Sequence, residues 1–376
     1  MNNLAGGQIE INRVTNDAGI NMGSTSGSTL SNAGSIKIGN IAAVKGGINN
    51  SLNASITNTT TGTIEINNIT QYDAILCSYT STFQNNGVIQ IGNLGPVSQY
   101  GVLLDNSSSF VNGSSGTLTI NNVTLSQAIY KLTSTSVFSN SGNIQMGTTT
   151  AVNKGIGGVS GSSVSNSGTI TFGNVTNEGV SANFTLNNLS GGTIQTAASG
   201  KLKITGTLNN QSGATLINHA TGTITINGTL TNGGSVKGSG SIVNSATWTN
   251  SAGSAIAPGA SPGTLTVTGS LNLGSTAYQC EINGTTAGTF DVLAISASAT
   301  LTNATLEVVW GFTPVAGNTF TILTCGSRVG QFATVNIPPI SGLIFSVVYN
   351  ATTVVIQVSA VPVPPACTNL TNPANG

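Results

Sequence analysis

The chain has 376 residues, of which only 5% are charged, and nine Lys+Arg balance nine Asp+Glu for a net charge of zero. That balance excludes an electrostatic nucleic-acid binder, which needs a basic face to meet phosphates. With 38% hydrophobic residues charge-rich disorder is excluded as well, and a single histidine leaves few combinations for acid–base or metal chemistry.

The chain opens on Met1-Asn2-Asn3-Leu4-Ala5-Gly6-Gly7 with no basic or apolar leader. This heptapeptide parallels Leu186-Asn187-Asn188-Leu189-Ser190-Gly191-Gly192, so residue 1 falls inside the third strand of a repeat. No polar terminal cap precedes it. We therefore expect further coils upstream, or another molecule over this end.

A Gly-x-apolar-x-apolar unit then recurs from Gly7, Gly34, Gly62, Gly87, Gly116, Gly142, Gly168, Gly192 and Gly222. Its spacing of about 27 residues is that of a solenoid. The first apolar position is Ile9, Ile36, Ile64, Ile89, Leu118, Ile144, Ile170, Ile194 and Ile224. Alternation with β-branched residues predicts a half-buried strand at each. Inside each period a small residue precedes Ile or Val, as in Gly19-Ile20, Gly47-Ile48, Ala74-Ile75, Gly101-Val102 and Ala128-Ile129. An apolar-x-Asn signature closes the period, with Asn32, Asn58, Asn85, Asn112, Asn140 and Asn166, and later Asn188 and Asn218. Three strands per coil predict an all-β, right-handed parallel β-helix. Asn and Gly suit its turns because both tolerate left-handed backbone angles. Asn12, Asn40, Asn68, Asn93, Asn122 and Asn174 recur after the first strand and are expected to bond from coil to coil.

From about Gly234 the period fails and the strands lengthen, which divides the chain into a repeat domain, 1–233, and a β-rich closing region, 234–360. The run Pro258-Gly259-Ala260-Ser261-Pro262-Gly263-Thr264-Leu265-Thr266-Val267-Thr268-Gly269 is followed by Phe290-Asp291-Val292-Leu293 and Gly317-Asn318-Thr319-Phe320-Thr321-Ile322-Leu323. In order and spacing this region resembles the end of autotransporter-like β-helical passengers. The resemblance implies a segment that closes the solenoid and assists its folding on the cell surface. The tail 361–376 is a Pro-rich linker leading into Ala366-Cys367-Thr368-Asn369-Leu370. It resembles the start of a fibronectin type III-like module in large secreted proteins of the Bacteroidota, which often end in a type IX secretion signal. The resemblance implies an extracellular or cell-surface protein cut on both sides.

Four cysteines are too few for a disulfide scaffold. Cys77 lies two residues after Ile75 and should face the core as a free thiol. Cys280 and Cys325 both sit in strand-like segments, where a disulfide and two separate thiols are equally open. Cys367 would pair beyond the chain. Glu10 and Glu65 occupy outward strand positions with Lys37 at the same phase between them, which reads as a charge ladder. His219 reads as a solvated turn residue. Tyr72, Tyr79, Tyr100 and Tyr130 lie in or beside the second strands, where they serve either loop packing or sugar contact.

No cofactor or metal is expected, nor nucleic-acid binding or membrane insertion. The reading favoured is a non-catalytic extracellular rod: an adhesin, stalk or fibre subunit whose partners are surface or matrix glycans, or copies of itself stacked head to tail. The alternatives are a carbohydrate-active β-helix enzyme, which needs a groove holding at least two acids, and a glycan-binding module without catalysis.

Overall fold

Four-residue segments such as Ser35–Ile38, Thr63–Ile66 and Val88–Ile91 alternate half-buried and fully buried residues. A period of two presents one row of side chains to the interior and the other to solvent. In the computed structural model, which describes residues 1–259 and 262–364, these segments stack as a right-handed parallel β-helix of about 12 turns. No helix among the described residues is long and apolar enough to cross a membrane.

The strands of successive coils line up into three faces. The first face has fourteen strands, from Gln8–Ile11 to Thr334–Asn336. The second carries six strands from Ala18–Asn21 to Lys154–Gly158 and nine more beginning at Lys201–Ile204. Between these two blocks only the isolated bridges Ile156–Val180–Ile204 continue it. The third face has eleven strands, from Asn2–Asn3 to Thr247–Asn250.

The aliphatic column on the first face runs Ile9–Ile36–Ile64–Ile89–Leu118–Ile144–Ile170–Ile194 in register. Its next member is Leu216, not Ile224. Ile224 pairs with Leu202 on the second face. The cause is a change of coil length. Along the third face successive asparagines are 26 to 29 residues apart as far as Asn166, then 22, and finally 18. The longer coils carry an extra buried arc, marked by the bridges Val44–Ile69–Val97–Val123 and Val152–Val175. Shorter coils lack it, so a motif-to-motif interval of constant size drifts onto another face. For the same reason Thr215–Asn218 lies on the first face, and Asn218 stands outside the third-face asparagine row.

The stack continues across residue 234. All three faces run through it, with Leu216 paired to Val236, Leu230 to Trp248 and Ile224 to Ile242. Closure comes later. Thr353–Ala360 pairs antiparallel with both Thr319–Val329 and Leu343–Tyr349. Trp310 packs its ring on Phe312, Phe320 and Phe345 at this end. An antiparallel ribbon of this kind ends the row of open parallel edges.

The recurrent glycines have a different cause from the one expected. None of Gly34, Gly62, Gly116 or Gly142 has a positive φ. A Cβ on Gly62 or Gly116 would instead fall within 3.0 Å of a carbonyl oxygen of the preceding coil and of the neighbouring Asn side chain. The motif marks close backbone approach.

Cys280 and Cys325 form no disulfide; both are free and buried. Their strands explain this. Cys280 lies on the first face opposite Val308 and Cys325 on the second opposite Ile295. Cys77 is a buried free thiol, and burial pushes it up to about 12. Cys367 and the module-like segment around it lie outside the described residues.

Candidate functional site

The dominant polar feature is internal. Asn32, Asn58, Asn85, Asn112, Asn140 and Asn166 all point into the core, two residues after an inward apolar side chain. From Asn3 to Asn250 each side-chain amide donates to the amide oxygen of the next coil, at 2.7 to 3.1 Å. All the donors point towards the C-terminus, and Asn250 ends the row on the carbonyl oxygen of Asn272, at 2.9 Å. Asn112 also donates to the carbonyl oxygens of Gly116 and Asn143. The amides thus satisfy one another where no water reaches.

The expected second row is broken. Asn67 bonds to Asn40 and Asn121 to Asn93, while Asn40 turns to Glu65 and Asn12 to Glu10. Asn68 and Asn122 adopt positive φ there.

The outward charges are sparse. Glu10, Lys37 and Glu65 lie in register, yet among the described residues the one ion pair is Lys154–Glu178, at 3.4 Å. No group of three His, Cys, Asp or Glu side chains that could hold a metal occurs among the described residues.

Two concavities carry ionisable groups. A groove of about 730 Å³ lies along the outside of the first face. His219 and Lys237 border it along with Glu281, Asp291 and Glu307, and small residues such as Ala257 and Ala277 leave its space. His219 is half-buried rather than free in solvent, its ring 3.4 Å from Gln195. The groove meets the first condition for a carbohydrate-active site, two acids together. Their partners are already set, however. Asp291 accepts the backbone N–H groups of Gly263 at 2.8 Å and Glu281 at 2.9 Å, one on each oxygen. Glu281 accepts Asn283, and Glu307 accepts Asn336. Burial pushes Asp291 up to about 6, although its two backbone bonds pull the other way; the nearby Glu281 charge adds to the rise.

The second concavity, about 200 Å³, opens on the second face, where Asp17, Asn49, Tyr72, Asp73 and Leu76 converge from three consecutive coils. Asp73 accepts only the backbone N–H of Tyr100, at 3.3 Å, and burial pushes it up to about 6 against that bond. One coil on, the Tyr100 and Tyr130 rings stack with centroids 5.1 Å apart. Tyr72 and Tyr79 are exposed.

A carboxyl raised in the fold binds its proton more tightly folded than unfolded. Its contribution to stability is fully present below the unfolded value near 3.8 and is lost as pH rises through about 6. Asp73→Asn is therefore expected to leave stability at pH 4 unchanged and to raise it at pH 7.5 by about 1–2 kcal/mol. Denaturant titrations at both pH values check this; a loss of stability at pH 7.5 contradicts it.

The carboxylates of the groove were individually visible in the sequence, and the alternation of Gln279-Cys280-Glu281 and Leu306-Glu307-Val308 marks them outward. Their convergence depends on strand register, which no local pattern encodes. No family profile matches the chain, and no curated protein matches it in sequence.

Proposed function

We propose that the chain is a non-catalytic structural rod, a stiff extracellular spacer that holds other parts of a surface protein or fibre at a distance. The observation that carries this reading is the unbroken amide row from Asn3 to Asn250 beside an in-register aliphatic column. A side-chain hydrogen bond between successive coils from Asn3 to Asn250 adds to the backbone ladder and resists bending between those repeats. Fourteen strands at parallel-sheet spacing give a length of about 60 Å. The low charge and the Asn, Ser, Thr and Gly exterior fit a secreted setting, as does the resemblance to autotransporter-like passengers.

The groove supports catalysis less well. Asp291 is occupied by two backbone donors, and each glutamate already holds an asparagine, whereas a glycosidase pair needs one free acid and one free base or nucleophile. Small-angle scattering in solution is expected to show a rigid rod of about 60 Å with no flexible-chain component. A flexible profile overturns the rod; turnover of a polysaccharide that is lost in Glu281→Gln replaces it with an enzyme.

A further inference from the structure

The pocket on the second face has the chemistry of a ligand site, and the rod needs no such site. Gly46 and Asn49 stand on Gly46–Asn50, Asp17 just before Ala18–Asn21, and Tyr72 and Asp73 just before Ile75–Cys77. The Tyr72 ring lies across the backbone of Gly46: a Cβ there would come 3.1 Å from the Tyr72 Cβ and 3.2 Å from a ring carbon. The tyrosine is nevertheless 49% exposed. Leu76, on the outward row of its strand, supplies a second apolar surface.

The polar groups of this pocket are unbalanced. Asp17 accepts the backbone N–H of Ala18 and the amide of Asn21. Asp73 has one long bond, and neither carboxylate belongs to an ion pair. The Asn49 side-chain oxygen is buried without a hydrogen-bond partner. Asp73 and Asn49 thus give the pocket two acceptors short of donors. A buried acceptor of this kind costs free energy until a donor reaches it, and groups kept at such a cost concentrate at functional sites.

We propose that this pocket binds one neutral pyranose unit of a glycan. Hydroxyl groups supply donors to Asp73, which has one long bond, and to the unpartnered Asn49 oxygen. The C–H face of the ring packs against Tyr72 and Leu76, as amphipathic aromatic surfaces allow. Two carboxylates outside any ion pair disfavour uronic and other acidic sugars by like-charge repulsion and desolvation. The stacked Tyr100–Tyr130 pair continues along the same face, so a chain of sugars has further aromatic surface one coil on. The inference goes beyond the rod reading and does not rest on it.

The test is a binding screen of the full chain against neutral, amino-sugar and uronic-acid oligosaccharides, followed by calorimetric titration of the hits. Neutral oligosaccharides are expected to bind and acidic ones not to. Tyr72→Ala and Asp73→Asn each weaken binding at least tenfold, while Glu65→Gln, on the first face and outside the pocket lining, leaves it unchanged. Gly46→Ala, which displaces the Tyr72 ring, weakens it without removing any contact group. Circular dichroism confirms that each variant is folded, and solution scattering reads the rod dimensions of the same samples, which stay constant if only the pocket is altered. Three results overturn the proposal: no neutral glycan bound by the wild-type chain, binding indifferent to Tyr72→Ala and Asp73→Asn, or selective binding of amino sugars or calcium ions in place of neutral sugars.

Discussion

Asn112→Ala is expected to destabilise the chain by about 3–5 kcal/mol, far more than an ordinary polar-to-alanine change. Asn112 is fully buried. It accepts from Asn85 at 2.7 Å and donates to Asn140 at 2.7 Å. Truncation therefore strands a donor on one side and an acceptor on the other, both out of reach of water. It also removes a partner from the carbonyl oxygens of Gly116 and Asn143. Each orphaned buried group costs about 1–3 kcal/mol, and a row of aligned amides loses some mutual polarisation besides. The control is Asn209→Ala. Asn209 sits on an equivalent strand but faces outward, bonded to Asn187 at 3.0 Å, and its loss should cost under about 1 kcal/mol. Hydrogen exchange of the amides in Ser109–Asn112 and its two neighbouring strands reads the local loss, because a solenoid can open coil by coil. Equal effects of the two substitutions would show that the internal row adds nothing to stability.

How far this architecture could be read in advance is clear from particular residues. Ile9, Ile36, Ile64 and Ile89 hold one phase against their glycines, and they stack. Ile224 has the same local motif but sits on another face. Strands of all three faces look alike locally, and only the count of intervening residues separates them, so a coil shortened from 28 to 22 residues defeats the motif. The asparagines were legible in position and misread in role. Period two already puts Asn112 on the same side as Phe110, yet asparagine is so much commoner in turns than in cores that the outward series after the first strand drew the expectation. The glycines were misread for a related reason: crowding by the preceding coil leaves no mark on a sequence that a left-handed turn would not also leave. The pocket was the least accessible feature. Asp17, Asn49 and Tyr72 meet only because three coils stack, and Asp17 and Asp73 showed nothing beyond their place just ahead of the small-residue–Ile signature.

The second large effect concerns the apolar side of the same strands. Phe110→Ala is expected to cost about 3–5 kcal/mol. Phe83, Phe110 and Phe138 form a continuous stack, with centroids 4.9 Å and 5.2 Å apart and the second pair nearly parallel at 4°. Phe110 is its middle ring and is fully buried. Removing it deletes apolar burial and two ring contacts, the latter worth about 0.5–1.5 kcal/mol each. The cavity left behind has little means to close. Its walls are strands held in register on both sides, and the coil spacing is fixed by backbone bonds and by the asparagine row two residues away. Leucine fills the same column at Leu186, Leu208 and Leu230, so Phe110→Leu restores most of the burial and should cost only about 1–2 kcal/mol. Guanidinium titration of the two variants tests the comparison. A cost for alanine below that expected for leucine would mean that the coils relax around the gap, and a β-helix able to relax in that way could not be the stiff spacer proposed here.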